Sequence, residues 1–381
     1  MRHVYLDHNA TTPVDPEVVE AMSAFYREKF GNPSSIHWAG RQVKGAIEQA
    51  RGEAAFLVGC DPSEVVFTSG GTEADNMALK GVATALRARG NHFITFRTEH
   101  PAVLATCLHL ENLGYEITRL GVDRDGMPDL AELEASITDR TILVSAMHAN
   151  HETGALFPLE EIGEIAARRR ILFHSDAVQA VGRVPLDFRR SNIGLLALSG
   201  HKFHAPKGTG ALVVRKGTKL APLIHGGPQE RNRRAGTENV AGIVALGRAC
   251  SLARQNMEAD SRRISSLRDR LETGILARVT DVRVNGHREK RLPNTSSLSF
   301  RGVEADTLLM NLDLQGIAVS AGSACTSGVL KESAVLSAMG VEPAFSRGTI
   351  RFSLGRDTVT EDIDYVLQVL PEIVERLRTK Q

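Results

Sequence analysis

The sequence predicts an α/β protein, a mainly parallel sheet with helices on both faces, followed by a smaller α+β domain. Three observations carry this expectation. Short, nearly continuous apolar runs recur through the first part of the chain, as expected for strands buried on both faces. Between them lie stretches whose apolar residues repeat at helical spacing. After about Gly236 the alternation stops, and a long stretch rich in Ala, Leu and Arg begins with few helix breakers.

The elements follow in order. A first strand is expected at Val65–Thr68. It gives way to Ser69-Gly70-Gly71, and from Thr72 a helix is read from Ala74, Met77, Ala78, Gly81, Val82, Ala85 and Leu86, which share one helical face. Further strands are expected at His92–Phe96, Ile142–Met147, Ile171–His174, Leu195–Leu198 and Gly210–Val214. A long helix is expected from Thr237 to about Val279, and it leads into strand-like pieces at Ser297–Phe300 and Thr349–Ser353. Ile363–Leu377 reads as a C-terminal helix, with the charges between Glu361 and Lys380 on its solvated face.

Composition narrows the function. The chain has 381 residues with 46 Lys+Arg against 45 Asp+Glu, a net charge of +1. There is no positive excess for a nucleic-acid backbone and no polybasic membrane patch. No run approaches the ~18 to 20 apolar residues of a membrane span, and MRHVYLDHNATTP lacks the layout of an export signal. Cys60, Cys107, Cys250 and Cys325 lie far apart with no CxxC pair, which favours a reducing cytosol over a disulfide framework. No His/Cys spacing matches a zinc site, so no metal site of its own is expected. Most histidines, among them His8, His37, His92, His109 and His287, read as surface or packing residues. The expectation is a soluble, cytoplasmic protein.

Four segments could carry chemistry. Thr68-Ser69-Gly70-Gly71-Thr72-Glu73 joins a strand to a helix, where glycines let backbone N–H groups approach an anion and the helix N-terminus favours negative charge. Taken alone, these residues read first as an ordinary strand–helix turn with Thr72 as a cap. Asp176, in His174-Ser175-Asp176-Ala177, closes a strand, the usual place for functional groups in open α/β sheets; a plain helix cap is the alternative. Lys202, in Ser199-Gly200-His201-Lys202, could be a neutral amine for imine chemistry or a solvated loop lysine like Lys207. Asp176 and Lys202 lie 26 residues apart at the ends of two nearby strands. Together with a helix N-terminus this is the set that pyridoxal phosphate needs: a carboxylate for the ring nitrogen, a lysine for the aldehyde and an anion site for the phosphate. Lastly, Cys325 sits among small residues in Ser320-Ala321-Gly322-Ser323-Ala324-Cys325-Thr326-Ser327-Gly328, the setting of an exposed loop nucleophile. Cys107 and Cys250 have apolar neighbours and read as buried structural cysteines.

Taken in order, YLDHNATTPVDPEV, FGNPSS, VVFTSGGTEADN, TEHPAVL, HETG, HSDAVQAVG, LSGHKFHAPKGTGAL, GTEN, LPNT, SAGSACTSG and RFSLGR span nearly the whole chain. In them the sequence resembles the cysteine desulfurases of the NifS/IscS group, closest to the NifS-like type, within the class-V, fold-type-I enzymes dependent on pyridoxal 5'-phosphate. The resemblance implies a seven-stranded, mainly parallel sheet in a large cofactor-binding domain, 15–260, with 1–14 and 261–381 forming a small α+β domain that carries the cysteine loop. It implies conversion of L-cysteine to L-alanine, with sulfur passed to Cys325 as a persulfide and on to an iron–sulfur scaffold protein of the NifU/IscU kind, for cluster assembly that extends to nitrogenase. Lys202 would hold the cofactor and later move the Cα proton, Asp176 would face the pyridine nitrogen, and Gln179 the phenolic oxygen. Gly71, Thr72, Ser199 and His201 would take the phosphate. Thr237 would reach the phosphate of a neighbouring subunit, making a homodimer with composite sites. His100 would stack on the ring, Arg351 would clamp the substrate carboxylate and Asn32 would assist near the substrate. Cys325 could also ligate a cluster transiently on the scaffold.

Two positions depart from the family pattern. His151, in Asn150-His151-Glu152, stands where a second Asn would face the phenolic oxygen, and Pro228 stands where His is expected. Imidazole still offers one N–H donor, and a charged His151 would stabilise the cofactor's phenolate. Selenocysteine lyase, another enzyme of the fold such as an aminotransferase, and a docking role in an assembly complex are the competing readings.

Overall fold

The computed structural model describes residues 2–321 and 332–379. The chain opens with a two-residue strand, β1 (Val4–Tyr5), whose partner lies far downstream. The main sheet comprises β2 (Val65–Thr68), β3 (His92–Phe96), β4 (Glu116–Leu120), β5 (Thr141–Ser145), β6 (Leu172–Asp176), β7 (Leu195–Ser199) and β8 (Gly210–Val214). Its order is β2-β8-β7-β6-β5-β3-β4. The pairs β3–β4, β3–β5, β5–β6 and β6–β7 are parallel, while β8 is antiparallel to both of its neighbours. Every strand but β8 therefore points the same way, and their C-terminal ends meet along one edge, where ligands bind in open α/β sheets.

Both faces of the sheet are covered, which is why its strands read as unbroken apolar runs. Ile47, Ala54 and Val58 from the helix Trp38–Val58 and Leu246 and Cys250 from the helix Val240–Leu276 join one core with Val65, Val144 and Leu196. Met77, Val82, Val103 and Cys107, from the helices Gly71–Leu86 and Pro101–Glu111, join the other with Val66, Phe93 and Leu195. Cys60, Cys107 and Cys250 are buried free thiols.

Some boundaries differ from expectation. β4 has no counterpart in the apolar-run reading, because it is an edge strand whose Glu-Ile-Thr-Arg-Leu sequence is mostly half-buried. β5 stops at Ser145 rather than Met147, since the Met147 N–H leaves the ladder for the Glu99 carboxylate at 2.7 Å. β6 runs past His174 to end on Asp176. The long helix begins at Val240, capped by the Asn239 side chain on the Gly242 N–H, and ends at Leu276.

That helix joins two cores: Ile243–Ala253 pack into the main sheet, and Ile264, Leu267, Leu271 and Ile275 pack into a second core. Around the second core lie β9 (Val282–Asn285), β10 (Thr295–Phe300), β11 (Ile317–Ala318), β12 (Ser320–Ala321) and β13 (Thr349–Ser353). The antiparallel order β12-β13-β10-β9 forms one small sheet, and β11 pairs in parallel with β1. The helix Thr360–Arg378 closes this core through Ile363, Val366, Leu370, Ile373 and Val374, and its charges lie outward as expected. Strand period places functional groups here. On β13, Ile350 and Phe352 point into the core, so Arg351 between them emerges on the opposite face, toward the main sheet.

Candidate active site

Between β2 and the helix Gly71–Leu86 the backbone turns sharply. Gly70 has φ of 153°, a conformation L side chains rarely adopt, and a Cβ on Gly71 would lie 2.5 Å from Val178 Cγ2. Gly70 gives the helix no side-chain cap, so its first N–H groups are left free. They open onto a cavity of about 260 Å³. Gly71, Thr72, Ser199 and His201 line it together, a free helix N-terminus beside hydroxyls and an imidazole, which is a fitting anion cradle.

Asp176 and Lys202 line the same cavity. Asp176 is buried at the end of β6, accepts the Val178 N–H at 2.9 Å and makes no ion pair among the described residues. Burial pushes its carboxyl up; His100, the Val178 hydrogen bond and Lys202 pull the other way. Lys202 follows β7 in a single 3-10 turn, and its Nζ donates to the Asn9 and Ala10 carbonyls at 2.6 and 2.8 Å. Burial first, then the Arg183 and Arg351 cations, lower its pKa to about 8. A lysine so placed offers a far larger fraction of free amine near neutral pH than a solvated one does.

His100 caps the helix Pro101–Glu111 through Nδ1, which accepts the Ala102 N–H at 3.1 Å, so a neutral ring carries its proton on Nε2. His151 meets it edge-on with ring centroids 5.4 Å apart, and both rings line the cavity. His151 is not charged in this setting. Burial first, then its neighbours His100, Arg351 and Lys202, hold His151 well below the usual imidazole range, leaving a neutral ring with one N–H donor.

Three predicted residues are placed apart from the cavity lining. Arg351 is buried, with Nη2 on Asp7 Oδ1 at 2.7 Å and Nη1 on the His151 carbonyl at 2.9 Å, so it reaches the site's border already paired. Asn32 is exposed on the loop before the helix Trp38–Val58, and its Oδ1 accepts the Ser34 N–H. It is not among the residues that line the cavity. Thr237 is also exposed, in a separate hollow with Ser69, Gly208 and Asn239. Gln179 lines the cavity, yet its Nε2 donates to the Asn9 carbonyl at 2.9 Å and its Oε1 accepts from Arg183. Cys325 lies outside the described residues.

The structure adds residues that the motif reading passed over. Asp75, Met147, Ala149 and Val178 complete the lining. Asn9 is the hinge of the arrangement. Its carbonyl accepts Lys202 and Gln179, its Oδ1 accepts Arg183 and Asn294, and its Nδ2 donates to Thr295. Asp75 was visible in GGTEADN one helical turn past the glycines; Asn9 carries no local signal, since its role exists only once the N-terminus crosses between the two sheets.

A carboxyl raised by burial and held in no ion pair among the described residues, a lysine biased toward the free amine and a helix N-terminus without a side-chain cap face one another across one cavity. These residues fit pyridoxal phosphate. Among the described residues no group of three or more His, Cys, Asp or Glu is placed to hold a metal ion, and no helix is long and apolar enough to cross a membrane.

Comparison with known proteins agrees with this geometry. Residues 4–366 match the family model "Aminotransferase class-V". The chain is 52% identical over 378 residues to cysteine desulfurase IscS of Dictyoglomus turgidum, covering 99% of this chain and 96% of that protein. It is 52% identical over 375 residues to cysteine desulfurase IscS of Methanosarcina thermophila, covering 98% and 93% respectively. A solved NifS-like protein superimposes with a TM-score of 0.93 at 39% identity, over 98% of this chain and 100% of that one.

Proposed function

We propose how its residues share a known chemistry: this chain belongs to the class-V aminotransferase family and is a pyridoxal-phosphate-dependent cysteine desulfurase. When bound, pyridoxal phosphate supplies a protonated ring that accepts the electron pair left at the substrate Cα. Asp176 holds the proton on the ring nitrogen, a role for which a buried, unpaired carboxylate is suited. Lys202 would hold the cofactor through Nζ and would take the proton from the L-cysteine Cα; in this structure its amine donates to the Asn9 and Ala10 carbonyls. The N–H groups at Gly71 and Thr72, with Ser199 and His201, hold the phosphate. His100 would stack on the cofactor's ring, and neutral His151 and Gln179, which line the same cavity, would serve its phenolic oxygen. Arg351 exchanges its Asp7 partner for the substrate carboxylate, with Asn32 assisting near it.

Cys325 accepts the sulfur. Overall, L-cysteine and the protein thiol give L-alanine and a protein persulfide: the substrate C–S bond breaks, an S–S bond forms, and the proton count balances. The persulfide then passes to an iron–sulfur scaffold protein for cluster assembly in the cytoplasm. Thr237, exposed and away from this chain's own cavity, serves the phosphate site of a second copy in a homodimer.

The observation that carries this assignment is a lysine lowered to about 8, facing Asp176 and an uncapped helix N-terminus in one cavity. Borohydride reduction of the holoenzyme followed by peptide mass spectrometry tests it. The reduced cofactor is expected on Lys202; finding it on Lys207 or on no lysine would overturn the assignment.

A further inference from the structure

Beneath the cavity sits an arginine that none of the assigned roles uses. The Arg183 Nη1 donates to Asn9 Oδ1 at 3.0 Å, to the Gln179 carbonyl at 3.2 Å and to Gln179 Oε1; Nη2 donates to the His8 carbonyl at 3.0 Å and the Lys202 carbonyl at 3.1 Å. All five acceptors are neutral, and Arg183 makes no ion pair among the described residues. Arg183 is half-buried, and withdrawing a guanidinium even partly from water without a counter-ion has a cost that the use of its charge or its fork of donors would offset.

We propose that Arg183 is a positioning residue for the reaction at Lys202, its fork fixing the Lys202 backbone and the Gln179 carboxamide against Asn9 while it sets an uncompensated positive charge beneath the Lys202 amine. Both parts follow from where its partners sit. Gln179 is four residues away on the same turn, and with Oε1 held by Arg183 its Nε2 must aim at the Asn9 carbonyl, the same oxygen that accepts Lys202 Nζ. One guanidinium thus fixes three groups that meet at one oxygen. The charge matters because the groups facing Lys202 are of both signs. Arg183 and Arg351 oppose a second cation there, while Asp176 and Asp7 favour it. Arg351 is neutralised by Asp7 at 2.7 Å, and the nearby imidazoles of His100, His151 and His201 are biased toward the neutral form. Arg183 is left as the cation without a counter-charge.

This inference rests on the assignment of Lys202, and its test is independent of the cofactor. The full-length chain, freed of cofactor, is labelled with trace acetic anhydride across pH 6 to 11, and the Lys202 peptide is quantified by mass spectrometry with exposed Lys207 as internal control. Arg183→Met is expected to lower Lys202 labelling at pH 7.5 roughly 3- to 10-fold by favouring the ammonium, with Lys207 unchanged, and Arg183→Lys is expected to restore most of it. Lys202 labelling unchanged in Arg183→Met would overturn the proposal. So would an equal loss in Arg183→Lys and Arg183→Met, since the charge would then be irrelevant. If Arg183→Met fails to fold, wild-type labelling decides: a Lys202 midpoint equal to that of Lys207 overturns the proposal. Borohydride trapping of wild type reports separately on Lys202 as the cofactor's anchor.

Discussion

His100, His151 and His201 all face the cavity, and burial pushes each of them down, His201 to about 4. Neutral imidazoles donate and accept hydrogen bonds without adding charge to a site already flanked by Arg183, Arg351 and Lys202. Exchanging His151 for Asn therefore removes no charge. In a spectroscopic titration of the bound cofactor, His151→Asn is expected to leave the midpoint within a few tenths of a pH unit of wild type; a shift of about one unit would show that His151 carries a proton. Residue identity was legible in the sequence where chemistry follows local order. Gly70-Gly71-Thr72, Asp176 and Lys202 each lie at or just past the C-terminal end of a strand, and such ends face the ligand edge. Asn9 and Arg183 were not legible, because their partners lie on other elements: Arg183 reaches Asn9 across 174 residues of chain.

Elements meet at the cavity's border through Glu152, which follows His151. The Ser333 hydroxyl donates to its Oε2 at 2.5 Å and also caps the helix Ala334–Ala338, so the loop beside the cavity is tied to the chain just beyond the segment that contains Cys325. Burial raises the Glu152 carboxyl to about 7 from 4.5, against the opposing pull of Ser333 and Arg351. An acid raised on folding stabilises the fold below its unfolded pKa, and that stabilisation is lost as pH rises toward 7. Wild type is expected to lose urea resistance relative to Glu152→Gln between pH 4.5 and 7; parallel midpoints across that range would contradict the raised carboxyl. At this scale the apolar runs gave most of the sheet. They failed at β4, an edge strand without a continuous apolar run, and at the end of β5, where a carboxylate takes the strand's next N–H.

Across the whole molecule, the long helix Val240–Leu276 carries one core into the other, and the change in pattern after Gly236 marks its approach. Just before it, Glu230, Arg231 and Asn232 all have positive φ, strain that persists only where surroundings hold it. Here the hold is a buried bidentate pair, Arg51 to Glu230 at 2.8 and 2.7 Å, with Glu230 also accepting the Phe67 N–H from β2. Cutting one partner leaves a charge stranded in the interior. Arg51→Met is expected to cost about 3 to 5 kcal/mol in urea unfolding, with a loss below 1 kcal/mol showing that the pair is dispensable. No sequence spacing announced this pair, because its partners stand 179 residues apart.

The central claim, that substrate sulfur moves from L-cysteine to one thiol of this chain as alanine is released, is tested most directly by a single turnover. Holoenzyme is mixed with a substoichiometric amount of L-cysteine, quenched, and analysed for free alanine and for the mass of each cysteine peptide. One alanine is expected for each added sulfur atom, with that sulfur on Cys325 and none on buried Cys60, Cys107 or Cys250. Alanine formed with Cys325 unmodified, or sulfur found on one of the other three, would contradict it.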